Sequence, residues 1–133
     1  LIKTIEGPST ENSIVEKVYK ESKKYNRIMV CLDSNHTHQH VLQELHSYAK
    51  LVTKECYCVV WDSGIETLPE GFITNRPWGK GNNPATAVDE YLSFLQLNNQ
   101  HGYDNKPLQF EINKTLEHKL ALTSTYNGFL RRM

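Results

Sequence analysis

No stretch of this chain stays apolar for the roughly 18 residues that a helix needs to cross a bilayer, so no membrane span is expected. Its start lacks the basic and then apolar opening of a secretory signal. An excess of one charge is missing too, since Lys plus Arg number 15 and Asp plus Glu number 15. Bulk charge therefore gives no reason to expect nucleic acid or an anionic membrane as partner. Cysteines are few and odd in number: Cys31, Cys56 and Cys58. All three lie in strand-like runs and read as small buried apolar residues in a reducing, cytoplasmic setting, not as a disulfide framework. Cys56-x-Cys58 is too closely spaced for the usual zinc knuckle. Internal repeats and low-complexity tracts are absent, and the 133 residues predict a single domain, residues 1–133.

What is present is organised around RIMVCLDSNHTHQH, Arg27 to His40. The apolar run from Ile28 to Leu32 ends in Asp33, and a second run, Cys56 to Trp61, ends in Asp62. Between them Val41, Leu42, Leu45, Tyr48, Ala49 and Val52 carry helical spacing. Strands that alternate with helices predict a mostly parallel sheet. Upstream, Leu1 to Glu6 reads as a short strand. Gly7 to Thr10 reads as a turn in which Ser9 or Thr10 can cap a helix over Glu11 to Lys24. The chain opens on Leu1, not Met, inside that strand-like run, which points to a piece of something longer.

Downstream, Ser63 to Asn83 has no periodicity and carries Phe72, Arg76, Trp78 and Lys80, the content of a functional lid. Asn83-Pro84 is a strong helix start, and Val88, Tyr91, Leu92 and Leu95 give that helix its buried face. Leu97 to Lys106 reads as a polar loop, and Phe110 to His118 as a region holding a short helical turn. Lys119 to Tyr126 and Phe129 to Met133 are expected strands, joined as a hairpin by Asn127-Gly128.

In an open parallel sheet, ligands sit outside the carboxyl ends of the strands. Asp33 and Asp62 would stand side by side there, and paired carboxylates suit a hard divalent cation such as Mg²⁺. Strand-end aspartates also cap helices, so a purely structural role is the competing reading. His36, His38 and His40 follow Asp33 at alternate positions. Imidazoles so placed admit a metal-dependent hydrolase, and His36, His38 and Asp33 can be drawn as a two-histidine, one-carboxylate iron site.

LDSNHTHQHVLQEL, the aromatic-rich strand ending at Asp62, RPWGKGNNPATAV and the tail YNGFLRRM together resemble the cephalosporin hydroxylase and rhamnosyl O-methyltransferase family. The resemblance spans nearly the whole chain. It implies a Rossmann-like methyltransferase sheet, mostly parallel with a C-terminal antiparallel hairpin. It also implies S-adenosylmethionine and Mg²⁺ as cofactors, with a sugar or small-molecule hydroxyl as acceptor. On the family's pattern the first two strands and the glycine-rich cofactor loop have no counterpart, so the chain reads as the C-terminal part of such a domain. The resemblance puts Asp33 and Asp62 on the metal, with Ser63 beside them as a weaker ligand, and makes His36 the general base. Ser9 and Asp33 would touch the cofactor, and Trp78, Arg76 and His38 would line the substrate site. The rival class is a non-catalytic assembly unit, and in either case a homo-oligomer is expected, because an open sheet edge invites pairing.

Overall fold

The computed structural model describes residues 2–133. It is a mixed α/β structure with a four-stranded sheet in the order β1-β2-β4-β3. β1 (Val30–Leu32) and β2 (Tyr57–Val60) run parallel, with Leu32 opposite Val60. β4 (Phe129–Arg132) lies antiparallel to β2 and to β3 (Phe110–Ile112). α1 (Asn12–Ser22) precedes β1, and α2 (His38–Tyr48), extended by a 3₁₀ turn at Ala49–Leu51, connects β1 to β2. α3 (Pro84–Leu97) follows β2 after a second 3₁₀ turn, Ser63–Thr67, and α4 (Lys114–His118) is a short helix between β3 and β4.

α2 and α3 pack on each other and over β1 and β2. Their inward residues, Val41, Leu45, Tyr48, Ala87, Val88 and Tyr91, form one core with Leu32, Cys58, Val60 and Leu130. Apolar area taken from water is the main stabilising term here, at about 25 cal/mol per Å². α3 starts where the sequence places it. Asn83 accepts backbone N–H bonds from Ala85 and Thr86, and the Thr86 hydroxyl returns the contact, which completes a capping box.

Three expectations fail, each for a physical reason. Ile2 to Glu6 forms no strand, because β1 pairs only with β2 among the described residues and offers this segment no ladder; Leu1 lies outside the described residues. Lys119 to Tyr126 is likewise not a strand, so Asn127-Gly128 closes no two-residue hairpin. Asn127 does have left-handed backbone (φ 58°). The Gly128 carbonyl accepts the Val60 N–H at 2.9 Å, and a Cβ at Gly128 would overlap the Val60 carbonyl oxygen. The pair thus delivers β4 onto β2, and β4 finds its other neighbour in β3, in the region whose expected short helical turn is α4. Third, Cys31 is exposed on the outer strand while Cys56 and Cys58 are buried, and none is paired.

The polar stretch after α3 is held from β4. Arg132, almost wholly buried, donates to the Val52 carbonyl and to Asp104 at 2.7 Å. Gly102 leaves the room its guanidinium occupies. No helix among the described residues is long and apolar enough to cross a membrane.

Candidate metal and cofactor site

β1 and β2 end at the same edge of the sheet, so the residues just beyond them meet. One ligand atom each from Asp33, His36 and Asp62 lie within 4.8 Å of one another. His36 Nε2 stands 3.0 Å from Asp62 Oδ2 and 3.5 Å from Asp33 Oδ1. It is shielded from solvent yet aligned for a hydrogen bond with neither. Asp62 turns into this position through left-handed backbone, φ 56° and ψ 20°. That region is open to Asp and Asn and costly for most other side chains. Two carboxylates at this separation repel one another, and a divalent cation between them relieves the repulsion. Two carboxylate oxygens suit Mg²⁺, with His36 Nε2 aimed at the same space.

The His36 ring is packed edge-on against Trp78, with centroids 5.0 Å apart and planes at 78°. Arg76 lies over the Trp78 indole at 5.5 Å. Edge-to-face packing of this kind fixes the orientation of a ring as well as burying it. The segment that carries Trp78 is tied down by Glu66, which accepts the Gly81 N–H at 2.8 Å and the Asn83 side-chain amide.

A groove of about 560 Å³ starts at Asp33 and Ser34 and runs along the open edge of β1. Its polar end holds a small network. Ser34 Oγ donates to Glu44 Oε1 at 2.7 Å and lies 2.9 Å from His40 Nε2, which is 3.2 Å from Ser9 Oγ. Tyr48 donates its hydroxyl to the Ser9 carbonyl. Glu44 is buried, and its Oε2 has no partner. A buried, unpaired carboxylate oxygen is a ready acceptor for a ligand donor. The groove's volume is in the range of small-molecule sites.

Asp33, His36, Asp62, Trp78 and Arg76 thus come together, and Ser9 joins them through the groove. Ser9 caps no helix: α1 begins after Glu11 without a side-chain cap. Two residues go elsewhere. Ser63 is fully buried and donates to the Val60 carbonyl at 3.3 Å. His38 has its ring on α3, with Nδ1 2.8 Å from Thr86 Oγ1 and Nε2 3.1 Å from Glu90 Oε2. The three alternating histidines therefore serve three separate sets of partners, which removes the geometric basis for a histidine-rich hydrolase or a two-histidine iron site. Glu44 escaped sequence reasoning as a site residue, and His40 was read only as one of the alternating histidines. The signal was a carboxylate sharing the inward face of Val41, Leu45 and Tyr48.

The model of the rhamnosyl O-methyltransferase/CmcI family matches residues 1–133. Rhamnosyl O-methyltransferases of Mycobacterium bovis (strain BCG / Pasteur 1173P2) and Mycobacterium tuberculosis (strain ATCC 25618 / H37Rv) are each 30% identical over 131 residues, covering 96% of this chain and 46% of theirs. The Mycobacterium leprae rhamnosyl O-methyltransferase is 31% identical over 129 residues, covering 96% of this chain and 49% of its own. The chain spans about half the length of these relatives. No solved structure matches.

Proposed function

The chain belongs to the rhamnosyl O-methyltransferase/CmcI family, and from that premise we propose that it serves methyl transfer from S-adenosylmethionine to a sugar hydroxyl, assisted by Mg²⁺. The relatives' names speak of a rhamnosyl acceptor. A deoxyhexose hydroxyl is accordingly the acceptor class assigned here. The observation that carries the reading is the convergence of Asp33, Asp62 and His36 at the shared end of two parallel strands.

When bound, Mg²⁺ lowers the pKa of a hydroxyl it coordinates, and S-adenosylmethionine supplies an electrophilic methyl group. Asp33 and Asp62 would hold the cation through carboxylate oxygens. His36 takes the acceptor's proton on Nε2, the nitrogen facing both acids, in the role of general base. Trp78 keeps that ring in place, so the proton acceptor is aimed before the acceptor arrives. The groove along β1, with Ser9 and Asp33 at its polar end and the free oxygen of Glu44 beside them, takes the cofactor. The reading includes a cytoplasmic setting with free thiols. It also includes a homo-oligomer, because the outer edge of β3 is unpaired among the described residues; solution mass tests that part.

Calorimetric titration of S-adenosylhomocysteine into the 133-residue chain, with and without Mg²⁺, tests the site. Binding strengthened by Mg²⁺, with the strengthening lost in Asp62→Asn, is the expected result. Binding that ignores Mg²⁺ removes the metal from the reading. Absence of binding to a folded chain overturns the enzymatic reading for this chain and favours an assembly role.

A further inference from the structure

A second groove, of about 400 Å³, has Asp62 in its lining. It begins at Asp62, as the first begins at Asp33, and the two share no lining residue. One wall is the 3₁₀ turn after β2, with Ile65, Thr67 and Leu68; the other is the segment leading into β4, with Ser124 and Tyr126.

The walls are fixed before any ligand arrives. Gly64 N–H donates to the Ser124 carbonyl at 2.7 Å, which joins the two walls directly. Asn127 N–H donates to Glu117 Oε2 at 2.9 Å, so α4 holds the base of the second wall. Lys114 reaches Glu117 Oε1 at 3.1 Å and sits over the Tyr126 ring, 4.2 Å from its centroid. That cation–π contact steadies the ring, and Tyr126 remains 43% exposed. Tyr126 thus presents a steadied, part-exposed aromatic face in a groove whose lining includes Asp62.

Resting on the methyl-transfer reading above, the geometry points to this groove as the acceptor subsite, a seat for a 6-deoxyhexopyranoside. A pyranose presents an apolar face of C–H groups and a rim of hydroxyls. Tyr126 offers the aromatic surface for the first. The Thr67 hydroxyl, which donates to the Gly64 carbonyl at 2.8 Å, keeps its lone pairs for the second. Ile65 and Leu68 offer carbon where a deoxy sugar carries a methyl group in place of a hydroxyl. A ring seated here puts a hydroxyl toward Asp62, while a donor in the first groove approaches from Asp33. Donor and acceptor then reach the acids from separate grooves.

The test is a titration of methyl α-L-rhamnopyranoside into the ¹⁵N-labelled chain, followed by amide NMR shifts, with no cofactor needed. Shifts gathered at Gly64, Thr67, Ser124 and Tyr126, and at least tenfold weaker binding in Tyr126→Ala, are expected. Tyr126→Phe should bind like the parent, because the ring and not the hydroxyl carries the contact, and it guards against a folding artefact. Shifts gathered instead at Trp78 and Gly79 overturn the groove assignment and leave the methyl-transfer reading standing. No saturable binding at tens of millimolar sugar overturns it as well. Sugar binding in the groove by a chain that fails the S-adenosylhomocysteine titration keeps the groove and sinks the methyl-transfer reading.

Discussion

At the scale of single residues the site depends on how three side chains are delivered. Asp62 sits in left-handed backbone, so Asn is the fitting replacement: it tolerates the conformation and removes the charge. Ala there would confound a lost ligand with a strained turn. His36 is held edge-on by Trp78 and makes no aligned hydrogen bond, so its ring is committed to the space between the acids. On the proposed function, His36→Gln should lower the rate of methyl transfer by about 10²–10⁴-fold, the usual worth of a general base, with Mg²⁺ affinity little changed. Pre-steady-state rates beside a metal titration check this. Metal affinity falling together with rate would show that His36 is a ligand and not the base.

At the scale of elements, local chemistry and long-range pairing divide what the sequence made legible. The Asn83-Pro84 start, the two strands ending in aspartate and the helix between them were readable, because caps and apolar periodicity act within a few residues. The meeting of Asp33 and Asp62 followed from the strand ends, and His36 was placed beside them by the family resemblance. The partner of β4 was not readable, since Asn127-Gly128 carries the same signal whether it reverses a hairpin or slips a strand under the Val60 carbonyl. The inward aim of Glu44 and Arg132 was hidden for a similar reason: charge predicts exposure until a partner from a distant segment is known. Asn83 links element to site, because its side chain caps α3 and also donates to the Gly79 carbonyl at 2.8 Å and to Glu66. Asn83→Ala should cost about 1–2 kcal/mol of stability, as lost caps do, and should also loosen the Trp78 segment. Urea unfolding measures the first effect, and indole fluorescence anisotropy in the folded range measures the second. A stability loss without any change at Trp78 would refute the tether.

At the scale of the whole molecule, two carboxylates far apart in sequence make folding sensitive to acid. Burial pushes the Asp104 carboxyl up, but the hydrogen bond and charge of Arg132 and the Lys106 backbone N–H prevail, and it lies below the usual range. Glu66 is lowered by the Gly81 backbone N–H and then by Asn83. A carboxyl with a depressed folded pKa adds stability above its unfolded value, about 4, and that contribution fades as pH falls through the folded value. Asp104→Asn should therefore unfold earlier than the parent at neutral pH, with the gap in midpoint narrowing as pH falls below the ordinary carboxylate range. A gap that holds constant with pH would assign its origin to packing. The order of the sheet carries a different consequence. β4 comes last of the four strands in sequence, yet it lies between β2 and β3. While the chain emerges from the ribosome, β1 and β2 can meet early, but β3 waits as a strand with no neighbour until β4 appears. The timetable of synthesis thus sets a window in which the nascent chain shows unpaired backbone to its surroundings, and whatever slows translation between β3 and β4 lengthens that exposure.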